Sequence, residues 1–462
     1  MHLSRKDFLR ISSALAAGTL AGTPGRALSS IPVPGAGGLM GNRFLTFNCV
    51  IRVNQIEVSR DRNVGVDERD MHTPDRLRAF REAVESGFPG AKMTWAFSWL
   101  ALNDTSDNYV RIRQQVREYH QRYGDDVTFI PGAYFANAYN SVEQVNRDLH
   151  DGLALASGIV GNGYRPKSVV AGFLAAKNLQ YLAEKENIHV CQGNIWSQFS
   201  IDNQDGDGSV CYPYYPSKEH FCKPARSKAD FIDCVNLDGW TVDFLAARRN
   251  GFAEHFNSRM GVGPIETIGA FGASTGLREM MHSTAIHFDS GYQLNGFAWV
   301  TNCWELSLPI DVSGLRDWLN AIRTRWPATR VITQGEFGLI WRKHFTSNDF
   351  NYRFTERGSG IGGSDADKEI RWFMNKDFRL ALLRNWREQT PEKVIDFTRY
   401  DVPAKEPDTL TRKWSLLGEI NQKGTRPQDT PVLLSQLNAD DRALIRRQLP
   451  ALHGLEKAKL SS

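Results

Sequence analysis

Two glutamates stand where acid chemistry could be done. Residues 331–338 read Val-Ile-Thr-Gln-Gly-Glu-Phe-Gly, a strand-like run that ends on Glu336 between two glycines. Residues 296–305 read Gly-Phe-Ala-Trp-Val-Thr-Asn-Cys-Trp-Glu, a second apolar run, ending on Glu305 beside Trp304. A carboxyl against an indole would be desolvated and its pKa raised, as a general acid requires. In a barrel of strands alternating with helices, the carboxyl ends of the strands face the site. Two carboxylates there could cleave a glycosidic bond, one protonating the leaving oxygen and the other attacking the sugar or activating water. The structural alternatives are a loop or helix-capping acid at 336 and a salt-bridged acid at 305.

Other groups could line such a site. Residues 235–244, Val-Asn-Leu-Asp-Gly-Trp-Thr-Val-Asp-Phe, hold Asp238, Trp240 and Asp243. The two aspartates are an odd number of residues apart, so on one strand they would face opposite ways; Gly239 more naturally turns the chain and leaves one at a strand end. Asn203, Asp205 and Asp207, followed by Gly208, match the first half of a calcium loop, but Tyr214 stands where a bidentate Glu belongs. Calcium is therefore a candidate ligand and a plain Asp/Gly turn the alternative; no other cofactor is expected. The stretch Tyr-Pro-Tyr-Tyr-Pro at 212–216 could place Tyr214 as a sugar-stacking wall or pack it inward. Arg165 is a further candidate substrate contact. Residues 358–363 fit Gly-x-Gly-x-x-Gly, yet no apolar strand precedes them, so a packing turn is favoured over dinucleotide binding.

The elements that would carry these groups alternate. Strand-like runs at 44–51, 92–99, 127–135, 168–171, 188–192, 296–303 and 330–334 are separated by helical patterns at 73–87, 109–123, 142–154, 175–186 and 315–325. This order predicts an α/β fold, a (β/α) barrel over 44–345 that is either closed or incomplete. A smaller α+β appendage is expected over 346–462, including a long amphipathic helix at 364–386 with Ile370, Phe373 and Phe378 near one face.

Several stretches resemble known families. The order and spacing of elements over 44–204 are similar to the incomplete barrel of carbohydrate deacetylases, with Lys-Met-Thr-Trp-Ala-Phe at 92–97 and Gly-Tyr-Arg-Pro at 163–166 at motif positions. The resemblance implies fold rather than metal chemistry. Phe-Asn-Cys at 47–49 replaces the paired aspartates, and Phe-Ala-Asn-Ala-Tyr at 135–139 replaces the His-x-x-x-His motif. A divalent zinc site needs about three protein ligands. The run around Glu336 resembles the nucleophile strand of the large retaining-glycosidase clan. The whole chain looks like exported bacterial proteins with two domains of unknown function.

Composition narrows the function. The 462 residues carry 56 Lys+Arg against 52 Asp+Glu, a net charge of +4. The first 29 residues account for +3 of this, so the body is nearly neutral and no nucleic-acid partner is expected. Residues 4–10, Ser-Arg-Lys-Asp-Phe-Leu-Arg, resemble the twin-arginine export signal, and a short Ala/Gly-rich run follows. That run is too short to span a bilayer about 30 Å thick. The expectation is an export signal over 1–29, a Gly/Pro-rich linker over 30–43, and a periplasmic or secreted protein with no membrane span. Six cysteines suit that compartment, and Cys211 with Cys222 is the expected disulfide, free buried thiols being the alternative. Twelve Trp give sugar-stacking faces or core. The first reading is thus a glycoside hydrolase acting on an oligo- or polysaccharide. Its rivals are a deacetylase-like hydrolase with an altered metal site and a noncatalytic glycan-binding barrel.

Overall fold

β1 (Arg43–Ile51) is buried along its whole length except at Arg43, because strands flank it and side chains cover both of its faces. The computed structural model describes residues 37–454, apart from 59, 61–62, 173, 195–207, 240–266, 269–270, 308–311, 362–363, 389, 415 and 417–430. The calcium-loop candidates Asn203, Asp205 and Asp207, together with Trp240 and Asp243, lie outside the described residues.

A β-hairpin, β2 (Asn54–Glu57) with β3 (Asn63–Asp67), follows β1. β4 (Thr94–Phe97) runs parallel to β1, and β5 (Asp126–Phe129) runs parallel to β4. β6 (Val169–Val170), β7 (Val190–Asn194) and β8 (Val235–Asp238) form a second parallel sheet. β9 (Ala298–Glu305) lies along the other side of β1, in register from Arg43 opposite Ala298 to Val50 opposite Glu305. The two-residue β10 (Arg330–Val331) joins the start of β1. The sheets meet where the Thr128 hydroxyl donates to the Ser168 carbonyl. Among the described residues no ladder joins them, so the strands form two parallel sheets rather than one hydrogen-bonded ring.

Helices cover the outer face. In the helix Pro74–Gly87, Thr73 caps the first turn through its hydroxyl and Pro74 fills the first position, where a missing N–H costs nothing. Phe80 presents its ring to Trp95 and Trp304, and burying it fully stabilises the fold by about 2–3 kcal/mol. The helix Gln334–His344 instead bridges the two sheets. Phe337 stacks on Trp299 at 4.9 Å and meets Phe44 at 5.2 Å. Gly338 lies so close to β7 that a Cβ there would sit 2.4 Å from Val190. No helix among the described residues is long and apolar enough to cross a membrane.

The segment 364–386, expected to be helical, is instead a hairpin. β12 (Lys368–Met374) and β13 (Phe378–Asn385) pair antiparallel between β11 (Tyr352–Arg357) and β14 (Lys393–Arg399), with β15 (Val432–Leu433) at the edge. Burial falls on alternate residues, Ile370, Trp372 and Met374, which is period two and not helical. Asn375 closes the turn by accepting from the Asp377 and Phe378 amides.

The six cysteines are all buried and no disulfide joins them. The expected Cys211–Cys222 bond is absent, and Cys222 Sγ lies 3.4 Å from Asn194 Oδ1 instead.

Candidate active site

The carboxyl edge of the first sheet gathers a charged cluster that begins with strand parity. Val50 is in register with Glu305, and side chains two apart on a strand share a face, so Arg52 projects toward Glu305. Its Nη2 lies 3.0 Å from Glu305 Oε2. Its Nε and Nη2 also grip Glu68 in a two-pronged pair at 2.7 and 2.8 Å. The Tyr109 hydroxyl donates to the Arg52 carbonyl at 2.7 Å and fixes the backbone there. Arg52 and Glu68 are almost sealed, whereas the Glu305 side chain keeps 14% of its surface open, making it the member of the trio that solvent reaches most easily.

Burial alone would raise the Glu68 carboxyl, but hydrogen bonds from His72 and Arg52 and the Arg52 charge hold it at about 2. Burial drives the His72 imidazole below its ordinary value, against the pull of the neighbouring Glu68. Beside them Glu57 is buried, and its carboxyl is pushed up to about 7 although Ser98 and the Leu100 amide donate to it.

Tyr134 closes the cluster. Its hydroxyl lies 2.9 Å from Cys303 Sγ, two residues before Glu305. Gly132, Ala133 and Tyr134 all take left-handed backbone, with φ of 59°, 46° and 85°. For a bulky residue such as Tyr134 this is a true outlier, and such strain persists where the surroundings over-determine it, commonly at functional sites.

The sequence candidates separate around this frame. Trp304 lies on the opposite face of β9 from Glu305 and packs edge-on to Phe80 at 5.5 Å, so its indole does not desolvate the carboxyl. Adjacent residues on a strand point opposite ways, which is the physical reason. Glu336 does not end a strand. β10 stops at Val331, Thr333 caps the helix Gln334–His344, and Glu336 completes a capping box with it. Lys92 and Lys167, each two residues ahead of its strand, hold Glu336 at 2.8 and 3.4 Å. Burial would raise its pKa, but those ammonium groups keep it below the usual carboxylate range. Glu336 therefore stands at the amino edge and Glu305 at the carboxyl edge, and the structure does not bring them together.

Arg165 precedes β6 on the amino side and pairs with Glu186 at 3.3 Å. Tyr214 is fully buried, its hydroxyl donating to the Phe221 carbonyl and accepting from Asn194 and Asn236, so it is no open stacking wall. Asp238 ends β8, is buried, and accepts from the Gly239 amide at 2.8 Å. Sequence reading missed Arg52, Glu68 and Tyr134. The Pro131-Gly132 turn after β5 was the available signal for Tyr134, and Thr333-x-x-Glu336 the signal for the cap.

The metal expected of a deacetylase barrel does not fit these residues. Asn48 donates to Gln334, and Asn137 is engaged by Asn178 and the Ala175 amide. Among the described residues no three His, Cys, Asp or Glu side chains gather to hold an ion.

Residues 37–374 match the family described as a domain of unknown function with solved structure, DUF3863, and residues 379–452 match a second such family, DUF3864. No curated protein matches. A solved structure from Parabacteroides distasonis, provisionally described as a glycoside hydrolase/deacetylase, is 50% identical with a TM-score of 0.85, covering 90% of this chain and 99% of its own. A Mycobacterium smegmatis structure, provisionally described as a polysaccharide deacetylase, is 13% identical with a TM-score of 0.41, covering 68% and 94%. A GH57-type branching enzyme from Pyrococcus horikoshii is 10% identical with a TM-score of 0.37, covering 62% and 68%. The last two are too distant to bear on activity.

Proposed function

The chain belongs to the DUF3863 family, and we propose that it is a carbohydrate-active hydrolase, a glycoside hydrolase whose site lies around Glu305. The observation that carries this reading is the Glu305 carboxylate, partly open at the carboxyl edge and gripped by Arg52. A carboxylate held by a guanidinium suits a nucleophile or base better than a proton donor. Hydrolysis of a glycosidic bond needs a second carboxyl about 5–5.5 Å away for retention or about 6.5–9.5 Å for inversion. Asp238, ending β8 at the same edge, is that partner on this reading, with the two parallel sheets read as an incomplete (β/α) barrel whose outer strands are β8 and β9. The close relative's description as a glycoside hydrolase/deacetylase supports a glycan substrate. The export expected from residues 1–29 would place the reaction outside the cytoplasm.

Purified protein is incubated with a panel of glycans and acetylated glycans, and released sugar and acetate are measured. Sugar release abolished by Glu305→Gln and by Asp238→Asn, with melting unchanged, supports the pair. Acetate release without sugar release would replace glycosidase with esterase or amidase chemistry at the same edge. Sugar release at the parent rate in Glu305→Gln would end the reading.

A further inference from the structure

A cleft opens on the same edge, and the carboxyl-terminal region builds one wall of it. Its volume is about 810 Å³, inside the range of about 300–1,000 Å³ that small-molecule sites occupy. Asn137 from the short helix Ala136–Tyr139 after β5, Lys177 from the helix Ala176–Lys185 after β6, and Lys218 ahead of β8 line it, and the segment 404–414 closes over them. Four contacts fix that segment in place. Glu406 accepts from the Ala176 amide at 2.9 Å and from the Phe221 amide at 2.8 Å. Lys223 donates to the Val402 carbonyl at 3.0 Å, and the Ala404 amide donates to Glu219 at 3.3 Å.

The lining mixes charges of both signs, Lys177, Lys218 and Lys405 against Glu143, Glu219, Glu406 and Asp408. Lys405 pairs with Asp408 at 2.8 Å, Glu219 with Lys223, and the Lys218 ammonium rests on the Ala229 carbonyl. What remains is a polar floor beside an apolar wall of Pro407, Leu410 and Trp414, with Leu410 61% exposed. Such a surface meets the hydroxyls of a sugar on one side and its C–H face on the other, and the mixed signs of its charges leave no block of one sign to select an ion. The chain links the cleft to the residues around Glu305. Asn137 is only three residues beyond Tyr134, a span of at most about 11 Å.

We infer that this cleft is a distal subsite for an uncharged oligosaccharide, holding the stretch of glycan that extends away from Glu305 past Tyr134. The inference rests on the proposed glycan-cleaving function for its purpose, but its test reads binding and needs no turnover. Neutral disaccharides and hexasaccharides of the chitin, cellulose and starch series are titrated by calorimetry into the full-length Glu305→Gln protein. One neutral hexasaccharide should bind about tenfold more tightly than its disaccharide. Thr409→Trp, which fills the cleft, and Leu410→Asp, which makes its wall polar, should each erase that difference while leaving the melting temperature in place. Equal affinity for short and long members of every series overturns the inference. So does a length dependence that survives both substitutions, or tighter binding of a hexauronate or an acidic peptide. Loss of the proposed activity reading would show separately, as unchanged sugar release in Glu305→Gln.

Discussion

Glu305 and Glu336 occupy opposite ends of the parallel strands. Glu305 is in register with Val50 near the end of β1, whereas Glu336 is bound by Lys92 and Lys167 ahead of β4 and β6. Their chemistry must differ accordingly. Glu305→Gln should lower sugar release by a factor of about 100 or more, the scale on which a positioned acid or base contributes. Glu336→Gln should leave turnover at the parent level and cost about 1 kcal/mol of stability through the weakened cap. Equal loss of turnover in both variants would reunite the pair and refute the separation.

Arg52→Ala should destabilise the fold by about 3 kcal/mol, because it strips Glu68 and Glu305 of a shared partner inside the protein. Arg52→Lys keeps the charge but not the fork, and should recover only part of the loss. Denaturant midpoints measure both. An alanine variant within about 0.5 kcal/mol of the parent would make the cluster an ornament of the surface.

The stability that Glu57 contributes should fall as pH rises through the neutral range. Burial lifts Glu57 from 4.5 unfolded to about 7 folded, so the folded protein holds the proton more tightly. That contribution is complete below pH 4.5 and is lost as pH passes 7, on the order of 3 kcal/mol in all. Glu406, raised to about 7 by its own burial, adds in the same direction. Glu68 works oppositely, contributing above 4.5 and losing its effect as pH falls through 2. Melting across pH 5 to 8 should show a shallower decline in Glu57→Gln; an identical slope would mean that the carboxyl stays ionised in the fold.

Thiol reagents should find no reactive group in the native protein and six in the unfolded chain, since every cysteine is buried and burial pushes Cys49, Cys191 and Cys234 well up. Reducing agent should leave the melting temperature unmoved. A drop of several degrees on reduction would reveal a cross-link after all.

The alternation of β1, β4, β5, β7 and β9 with helices was legible because buried strands and amphipathic helices leave different periods in the sequence. The site was half legible. Glu305 stood at the end of an apolar run, where the strand rule looks for it. Arg52 and Glu68 were invisible, since their partnership depends on register across strands far apart in the chain. Glu336 misled because Thr333 turns the chain into a helix two residues after β10 ends, and a local cap outweighed the apolar pattern. The hairpin at 370–385 misled for a related reason: Ile370 and Phe373 satisfy a helical spacing by chance, and only pairing with neighbouring strands decides between the periods.

The boundary between the two matched regions, 374 to 379, falls at the turn joining β12 to β13. Across that turn Arg379 is clasped by Asp396 and reaches back to the Ser209 carbonyl at 2.9 Å, and the Tyr400 hydroxyl reaches the Gly208 carbonyl at 2.9 Å. Severing the polypeptide at this seam would leave each piece with a raw sheet margin and an orphaned set of anchors. Grafting either region onto a foreign scaffold would carry away only a fragment of a fold.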